Sequence, residues 1–503
     1  MSDLPPGWCI VPILELADLL RGVTYSKADA SETPFSGAIS VLRANNIQDR
    51  RFDLRDLVYV PASLVSQQQR IMAGDIVVAT SSGSISVVGK ASQAMSNLDA
   101  GFGAFCGLLR PVPGVNARYY GHFFSSDAYR QAVSSMARGV NINNLKRDHF
   151  ASLAIPLPPI NEQKRIADKL DALLSRVDAC RERLDRVPAI LKRFRQSILA
   201  AACSGQLTAD WREENEDVEP VTDLIDRILT ARRQRADELN RQFLSKGKKP
   251  PKKRTNLSRQ PIEADSQPDI PDSWQWVTWN DLADWITYGF TRPMPHVSDG
   301  IPVVTAKTVR DGYFDYTDID RTTPEAFAEL SEKDKPRRGE ILITKDGAIR
   351  GRAALVETDE PFCISQAVAV IRFGGLTAEP PYLLRVIQSR FTQKLIEAES
   401  SGTAIPHISI TNFGRFPVPL PPLAEQHEII RRVEQLFAFA DALEARVATA
   451  QDQVNRLTPS LLAKAFRGEL VPQDPNDEPA TELLKRIQAT RLTAPAKPKR
   501  GKQ

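Results

Sequence analysis

Pro156-Leu157-Pro158-Pro159-Ile160-Asn161-Glu162-Gln163 returns as Pro419-Leu420-Pro421-Pro422-Leu423-Ala424-Glu425-Gln426, 263 residues further on. Aligned without gaps, 156–207 and 419–470 agree at 18 of 52 positions, closing on Gly205-Gln206-Leu207 and Gly468-Glu469-Leu470. A constant offset over that length marks a duplicated segment, and a repeat sets the architecture before any other pattern is read.

Inside the repeat the apolar positions Ile166, Leu170, Leu173, Val177, Cys180, Leu184, Val187, Leu191, Phe194 and Ile198 advance by alternating fours and threes. The copy keeps all ten apolar: Ile429, Val433, Leu436, Ala440, Leu443, Val447, Ala450, Val454, Leu457 and Leu461. That spacing is a coiled-coil seam, so each repeat predicts a long helix, with the other copy as its simplest partner. Antiparallel pairing would put the preceding globular parts at opposite ends of a rod. The competing arrangement packs each helix on its own lobe. Pro188 and Pro459 predict a kink or short break, because an interior proline removes a hydrogen bond. Gly205 and Gly468 read as C-terminal caps.

The segments before the repeats also match, with small indels. Leu4-Pro5-Pro6-Gly7-Trp8 pairs with Ile270-Pro271-Asp272-Ser273-Trp274, and Gly74-Asp75-Ile76-Val77-Val78 with Gly339-Glu340-Ile341-Leu342-Ile343. Residues 76–79, 341–344 and 367–371 read as buried strands, and 119–136 and 382–398 as amphipathic helices. Each half is therefore expected to be an α/β or α+β domain. After the repeats, Val221–Ile228 echoes Ala480–Ile487.

Polar loops follow the strands at equivalent places and differ between halves. The first half offers Arg43, Asn45, Asn46, Ser81, Ser82, Ser84, Lys90, Arg138, Asn141 and Asn143; the second offers Lys307, Thr308, Lys345, Arg350, Arg352 and Thr403. These side-chain types reach base edges and phosphates. The same types build ordinary turns, and both readings stand for each loop.

At 503 residues the chain exceeds one ordinary core, and its 42% hydrophobic and 25% charged content fits a globular protein. It has no 18-residue apolar run and no signal-like N-terminus, so a soluble, cytoplasmic protein is expected. Five scattered cysteines without a CxxC pair and five histidines without HExxH argue against disulfide or zinc frameworks. Net charge is only +4, with basic runs at Lys246–Arg254 and Lys497–Lys502. Each run reads as an arm for nucleic acid or as a solvated linker or tail.

Catalytic motifs fail on inspection. Glu379-Pro380-Pro381-Tyr382 resembles an amino-methyltransferase loop, but Glu suits that chemistry poorly and no glycine-rich cofactor loop follows a strand. Val87-Val88-Gly89-Lys90 lacks the first glycine and the Ser/Thr of a phosphate loop. Glu340 with Lys345 lacks the upstream acid of a nuclease.

Two PLPP-x2-EQ helices at a fixed offset, each ending in GQL or GEL and preceded by matching scaffold, resemble type I restriction-modification specificity (S) subunits over nearly the whole chain. Arg193–Ala202 also resembles that family's first central repeat. The resemblance implies α/β (α+β) target-recognition domains, duplicated and separated by two long antiparallel coiled-coil helices. The expected division is 1–155, first target-recognition domain; 156–207, first repeat helix; 208–270, extension and basic flexible linker; 271–418, second target-recognition domain; 419–470, second repeat helix; 471–503, C-terminal extension and basic tail. It implies a non-catalytic protein reading an asymmetric bipartite double-stranded DNA target through the major groove. Its implied partners are two methylation (M) and two restriction (R) subunits, which would bind S-adenosylmethionine, ATP and Mg, leaving no cofactor on this chain. A coiled-coil scaffold without sequence reading and a stand-alone DNA methyltransferase are the alternatives.

Overall fold

Each lobe closes where its two ends meet. Cys9–Pro12 runs antiparallel to Ala154–Leu157, and Gln275–Thr278 does the same with Pro417–Leu420. The structure is a computed structural model that describes residues 4–48, 50–84, 86–138, 144–245, 267–374, 378–399 and 407–493. Both basic runs lie outside these residues.

The first lobe holds a four-stranded antiparallel sheet in the order Ala17–Arg21, Cys106–Pro111, Ile76–Ala79, Ala91–Gln93. A three-stranded sheet places Ala38–Leu42 between antiparallel Val58–Pro61 and parallel Ala100–Phe102. The second lobe repeats both: Trp285–Tyr288, Val368–Arg372, Ile341–Thr344, Ala353–Leu355, then Ile301–Val304 between Asp320–Thr322 and Cys363–Ile364. The chain is thus a mixed helix-and-sheet protein with a duplicated domain. Residues 76–79 and 341–344 are wholly buried, as β-branched and aliphatic runs covered on both faces should be. The acids that open them have structural tasks. Asp75 takes two hydrogen bonds from Arg110 at 2.9 and 2.6 Å, and Glu340 lies 3.5 Å from Arg372.

The helices expected over 119–136 and 382–398 are each two helices: Ala117–Phe123 with Asp127–Arg138, and Pro380–Gln388 with Arg390–Glu399. A buried serine makes both breaks. Ser126 Oγ donates to the Phe123 carbonyl and accepts from Tyr129 N; Ser389 Oγ donates to Val386 and accepts from Thr392 N. Serine here competes with the helix ladder for backbone partners. The proline pair Pro380-Pro381 starts its helix, and Tyr382 is fully buried.

The repeat segments form helices of 44 residues each, Ile160–Cys203 and Leu423–Phe466. The expected break is absent, since both helices run through Pro188 and Pro459. Pro188 is exposed, so the carbonyl that loses its donor can turn to water. Gly205 and Gly468 adopt φ of 75° and 76°, and Glu469 N bonds Lys464 O at 2.8 Å, a six-to-one closure around Gly468.

The chain divides into two compact units, 1–185 with 447–503 and 186–446, and the division falls inside each long helix. In the first unit, Arg181 Nε donates to Asn455 Oδ1 at 3.3 Å and Gln451 Nε2 to Asp185 Oδ1 at 3.2 Å. In the second, Arg195 Nη2 reaches Asp441 at 2.6 Å and Glu444 at 2.7 Å. In the first unit, 181 and 185 ascending along one helix meet 455 and 451 descending along the other.

The seam positions are not uniformly covered. Ile166, Leu170, Val177, Leu191, Ile198, Ile429, Val433 and Ala440 are buried. Leu184, Val187, Phe194, Leu436, Leu443, Val447, Ala450, Val454 and Leu461 are half-buried. Leu457 at 45% exposure and Cys180 are corrections, being exposed, and Leu174 rather than Leu173 is the fully buried neighbour. Along 166–177 the covered positions step by four, four and three, following a straight helix against a lobe. Ile166, Leu170 and Leu174 belong to the same core as Tyr119 and Phe150, so this stretch does pack on its own lobe.

That core also takes Leu462, Ala465 and Phe466 from the end of the second long helix, and Ala480, Leu483 and Ile487 from the helix Ala480–Thr493. The second lobe's core takes Ile198, Ala202 and Cys203 from the end of the first long helix, and Val221, Leu224 and Ile228 from the helix Val221–Ser245. Each lobe is completed by the end of the other copy's long helix and by the shorter helix beyond it.

Candidate nucleic-acid interface

The Glu-Gln pair of each PLPP-x2-EQ motif anchors a long helix to its lobe. Glu162 and Glu425 are 1% and 0% exposed, and each accepts a hydrogen bond from an indole: Trp8 Nε1 at 3.0 Å and Trp274 Nε1 at 2.8 Å. Gln163 and Gln426 accept from the backbone N–H of Asn116 and Glu379 and donate to Pro158 and Pro421. Tyr119 and Tyr382 donate to the carbonyls of Pro156 and Pro419, both at 2.6 Å. Buried polar groups are tolerated when fully partnered, and the motif is such a closed set.

The two anchors differ in their outer partner. Gln473 Nε2 donates to Glu162 at 3.2 Å, whereas Thr208 Oγ1 and the guanidinium of Arg212 both bond Glu425. Burial pushes the Glu162 carboxyl above the ordinary glutamate value, with the bonds from Gln473 and Trp8 pulling the other way.

With the frame held in this way, the loops converge. Ser81 bridges Asn144 and Asp346 bridges His407, so in each lobe the loop after the central buried strand lies beside the residue following 139–143 or 400–406. Leu145 N donates to Thr80 O at 2.7 Å, and Ile408 N to Lys345 O at 2.9 Å. In the first lobe the loop at 81–83 also meets those at 23–25, 43–45 and 103–106 around a cleft of about 560 Å³, lined among others by Tyr25, Arg43, Asn45, Ser81, Ser82 and Phe105. Four side chains singled out from the sequence thus meet in one place. Next to the lining residue Val23, the backbone approaches closely: a Cβ on Gly22 would lie 2.0 Å from the Gly103 carbonyl oxygen, and at the corresponding place in the second lobe one on Gly289 would lie 1.8 Å from that of Ile364.

The remaining candidates have other settings. Asn46 is 1% exposed and spends its amide on Asp53 O, Asp56 O and Arg43 N, which makes it a loop brace. Thr308, 2% exposed, accepts from Thr305 N and braces the equivalent turn. For both residues this burial replaces the expectation of a base contact, because neither side chain is available to a ligand. Ser84 bonds Ser86 at 2.8 Å, and Lys90 is half-buried at the start of the strand Ala91–Gln93. Lys307 pairs with Asp320 at 3.2 Å, and Lys345 pairs with Asp346 at 2.6 Å beside the Tyr288 ring. Arg350 and Arg352 follow that loop half-buried, and Arg352 lies near Asp311, whose carboxyl is raised by burial. Asn141, Asn143, Thr403 and the side chain of Arg138 lie outside the described residues.

Sequence reasoning missed Asp56, Tyr25 and Phe105. Asp56 looked like one of several acids in a charged loop, and no periodicity marks an aromatic that is meant to stay exposed. Among the described residues no three His, Cys, Asp or Glu side chains gather as a metal site requires, and no helix is long and apolar enough to cross a membrane.

A duplicated frame, a long helix after each lobe and divergent polar loops describe a scaffold that presents two different loop sets. The family described as type I restriction modification DNA specificity domain matches residues 5–189 and again 271–450. The chain belongs to that family, and its role is that of a specificity subunit, with DNA recognition rather than catalysis as its task. It is 35% identical to the EcoKI specificity subunit of Escherichia coli (strain K12) over 515 aligned residues, covering 99% of this chain and 98% of that one. It is also 35% identical to the StySPI specificity subunit of Salmonella potsdam, with the same coverage. Among solved structures, the HsdS subunit from Thermoanaerobacter tengcongensis aligns with a TM-score of 0.51 at 18% identity, over 93% of this chain and 98% of that one. A chain from a study of complex assembly and conformational transition of the type I R-M system aligns at 0.62 and 19% identity, over 93% and 100%. At those identities the likeness speaks for the fold alone.

Proposed function

We propose that each lobe binds one part of a split, asymmetric duplex target through the major groove, and that the long helices form an antiparallel coiled-coil spacer that sets the distance between the parts. Two methylation and two restriction subunits dock on this chain, and S-adenosylmethionine, ATP and Mg are bound by those partners. The observation that carries the reading is one frame used twice with two different loop sets. Arg43, Asn45 and Ser81 in the first lobe stand where Thr305, Lys307 and Asp346 stand in the second. One scaffold with two sets of loops reads two different sequences. The bonds from Arg181 to Asn455 and from Arg195 to Asp441, one pair in each unit, favour the spacer.

Co-expression with a methylation subunit, followed by mapping of modified adenines, tests this. A two-part motif is expected. Exchanging 1–155 for the same segment of another family member should change one part and leave the other. A motif unaltered by the exchange would remove sequence reading from the lobe.

A further inference from the structure

We infer that Arg43 and Asn45 are specificity-determining residues of the first lobe, held side by side by Asp56 so that they donate to purine acceptors in the major groove, with Phe105 covering an adjacent base edge. The inference rests on the proposed function above and goes further by assigning the reading to one cleft and one carboxylate.

Asp56 Oδ2 accepts from Arg43 Nη2 and from Asn45 Nδ2, both at 3.1 Å. Arg43 Nη2 also reaches the Asp56 backbone carbonyl at 3.4 Å. These bonds through Nη2 hold the guanidinium against Asp56, and among the described residues its Nε is buried without a partner. No described residue bonds its Nη1, and the Arg43 side chain is still 39% exposed. Asn45 is exposed as well. Arginine is suited to guanine O6 and N7, and asparagine to adenine N6 and N7. A carboxylate binding both side chains removes rotamer freedom that would otherwise be lost on contact with DNA.

The second observation is the aromatic rim. Phe105 is 69% exposed, and with the exposed Ala104 it forms a two-residue tip between a buried Gly103 and a buried Cys106. Its carbonyl is engaged by Thr80 and Ser81, which fixes the backbone and leaves the ring at the cleft. An exposed phenyl beside hydrogen-bond donors suits the methyl group of thymine. The second lobe has Ala367 at the equivalent place and Lys307 in place of Asn45, so this chemistry belongs to the first half-site alone.

The test is selection of bound duplexes from a pool with randomised bases, using the full chain co-purified with its methylation subunits. Arg43→Lys keeps the charge and loses the planar fork. It should reduce preference about tenfold at one or two positions of one motif half, leaving the other half and the salt dependence intact. Asn45→Ala should do the same at a neighbouring position, and Phe105→Ala should relax a thymine preference. Asp56→Asn should blunt both donor positions without touching DNA itself. Circular dichroism of each complex separates unfolding from altered reading. Should all four variants select the wild-type motif, or lose affinity equally for every sequence, the assignment is overturned while two-part reading stands. Should the wild-type complex enrich no motif, the proposed function itself fails.

Discussion

Trp8 and Glu162 are 154 residues apart in the chain, and the indole of one donates a 3.0 Å hydrogen bond to the buried carboxylate of the other. The bond ties the entry of the first lobe to the start of the helix that leaves it. Trp274 and Glu425 repeat it at 2.8 Å. The outer partner is not repeated, since Gln473 stands at one carboxylate and Arg212 at the other. That difference yields measurable consequences.

Glu425→Gln is expected to destabilise the second unit by about 3 kcal/mol, because Arg212 would be left with a charge and no counter-ion in a largely buried setting. Glu162→Gln, facing the neutral Gln473, should cost about 1 kcal/mol. Denaturant melts of the two variants check the order, and equal losses would contradict the asymmetry.

The raised Glu162 carboxyl gives a pH signature. A folded value above the unfolded one favours the protonated, folded form at low pH. The stabilisation is therefore complete below the ordinary glutamate range and is lost as pH rises through the folded value. Wild type should lose stability relative to Glu162→Gln across that rise. Melting temperatures of both proteins from pH 4 to pH 7 measure it, and parallel curves would count against the shift.

Phe466 belongs to the second long helix, yet its ring lies 5.3 Å from Tyr119 and 5.7 Å from Phe123 in the first lobe's core. Phe466→Ala should cost about 3–5 kcal/mol by opening a cavity there. Hydrogen exchange should show lost protection over 117–138 and unchanged protection over 380–399. Loss confined to the second lobe would refute the crossed closure.

Seven residues added to each long helix lengthen it by about 10 Å, which corresponds to about three base pairs of B-DNA. The gap between the two parts of the modified motif should widen by that number. A gap of unchanged length would end the spacer proposal.

Removing the surface brace Arg195→Ala should cost under about 1 kcal/mol, because Asp441 and Glu444 are 70% and 54% exposed. A loss of several kcal/mol would mean that the bond carries more of the helix pairing than its exposure implies.

The helices were legible because their signals are local and repeated: the apolar period, the PLPP entry, and Gly205 and Gly468 at the ends. The buried strands at 76–79 and 341–344 were legible for the same reason. The break at Ser126 was not, since a serine inside an amphipathic run ends a helix only where burial denies it water. Leu457 looked like a seam residue because the four-and-three spacing continued through it, and nothing in that spacing says where the helix face turns to solvent. The loops were found as a set, but Asn46 and Asn45 look alike in sequence. One is sealed by Asp53 and Asp56 and the other is left at the surface.

The residues unaided determined the duplication, the length of its two helices, and the fact that the loops differ while the frame does not. Each of these depends on contacts within a few residues along the chain. Only the tertiary structure decided that Gln473 closes on Glu162 and Arg212 on Glu425, so that each lobe is finished by the tail of the other repeat. Two similar carboxylates and two similar glycine-capped tails admit either pairing in one dimension. The path of the chain through space, with its long-range burial, selects one.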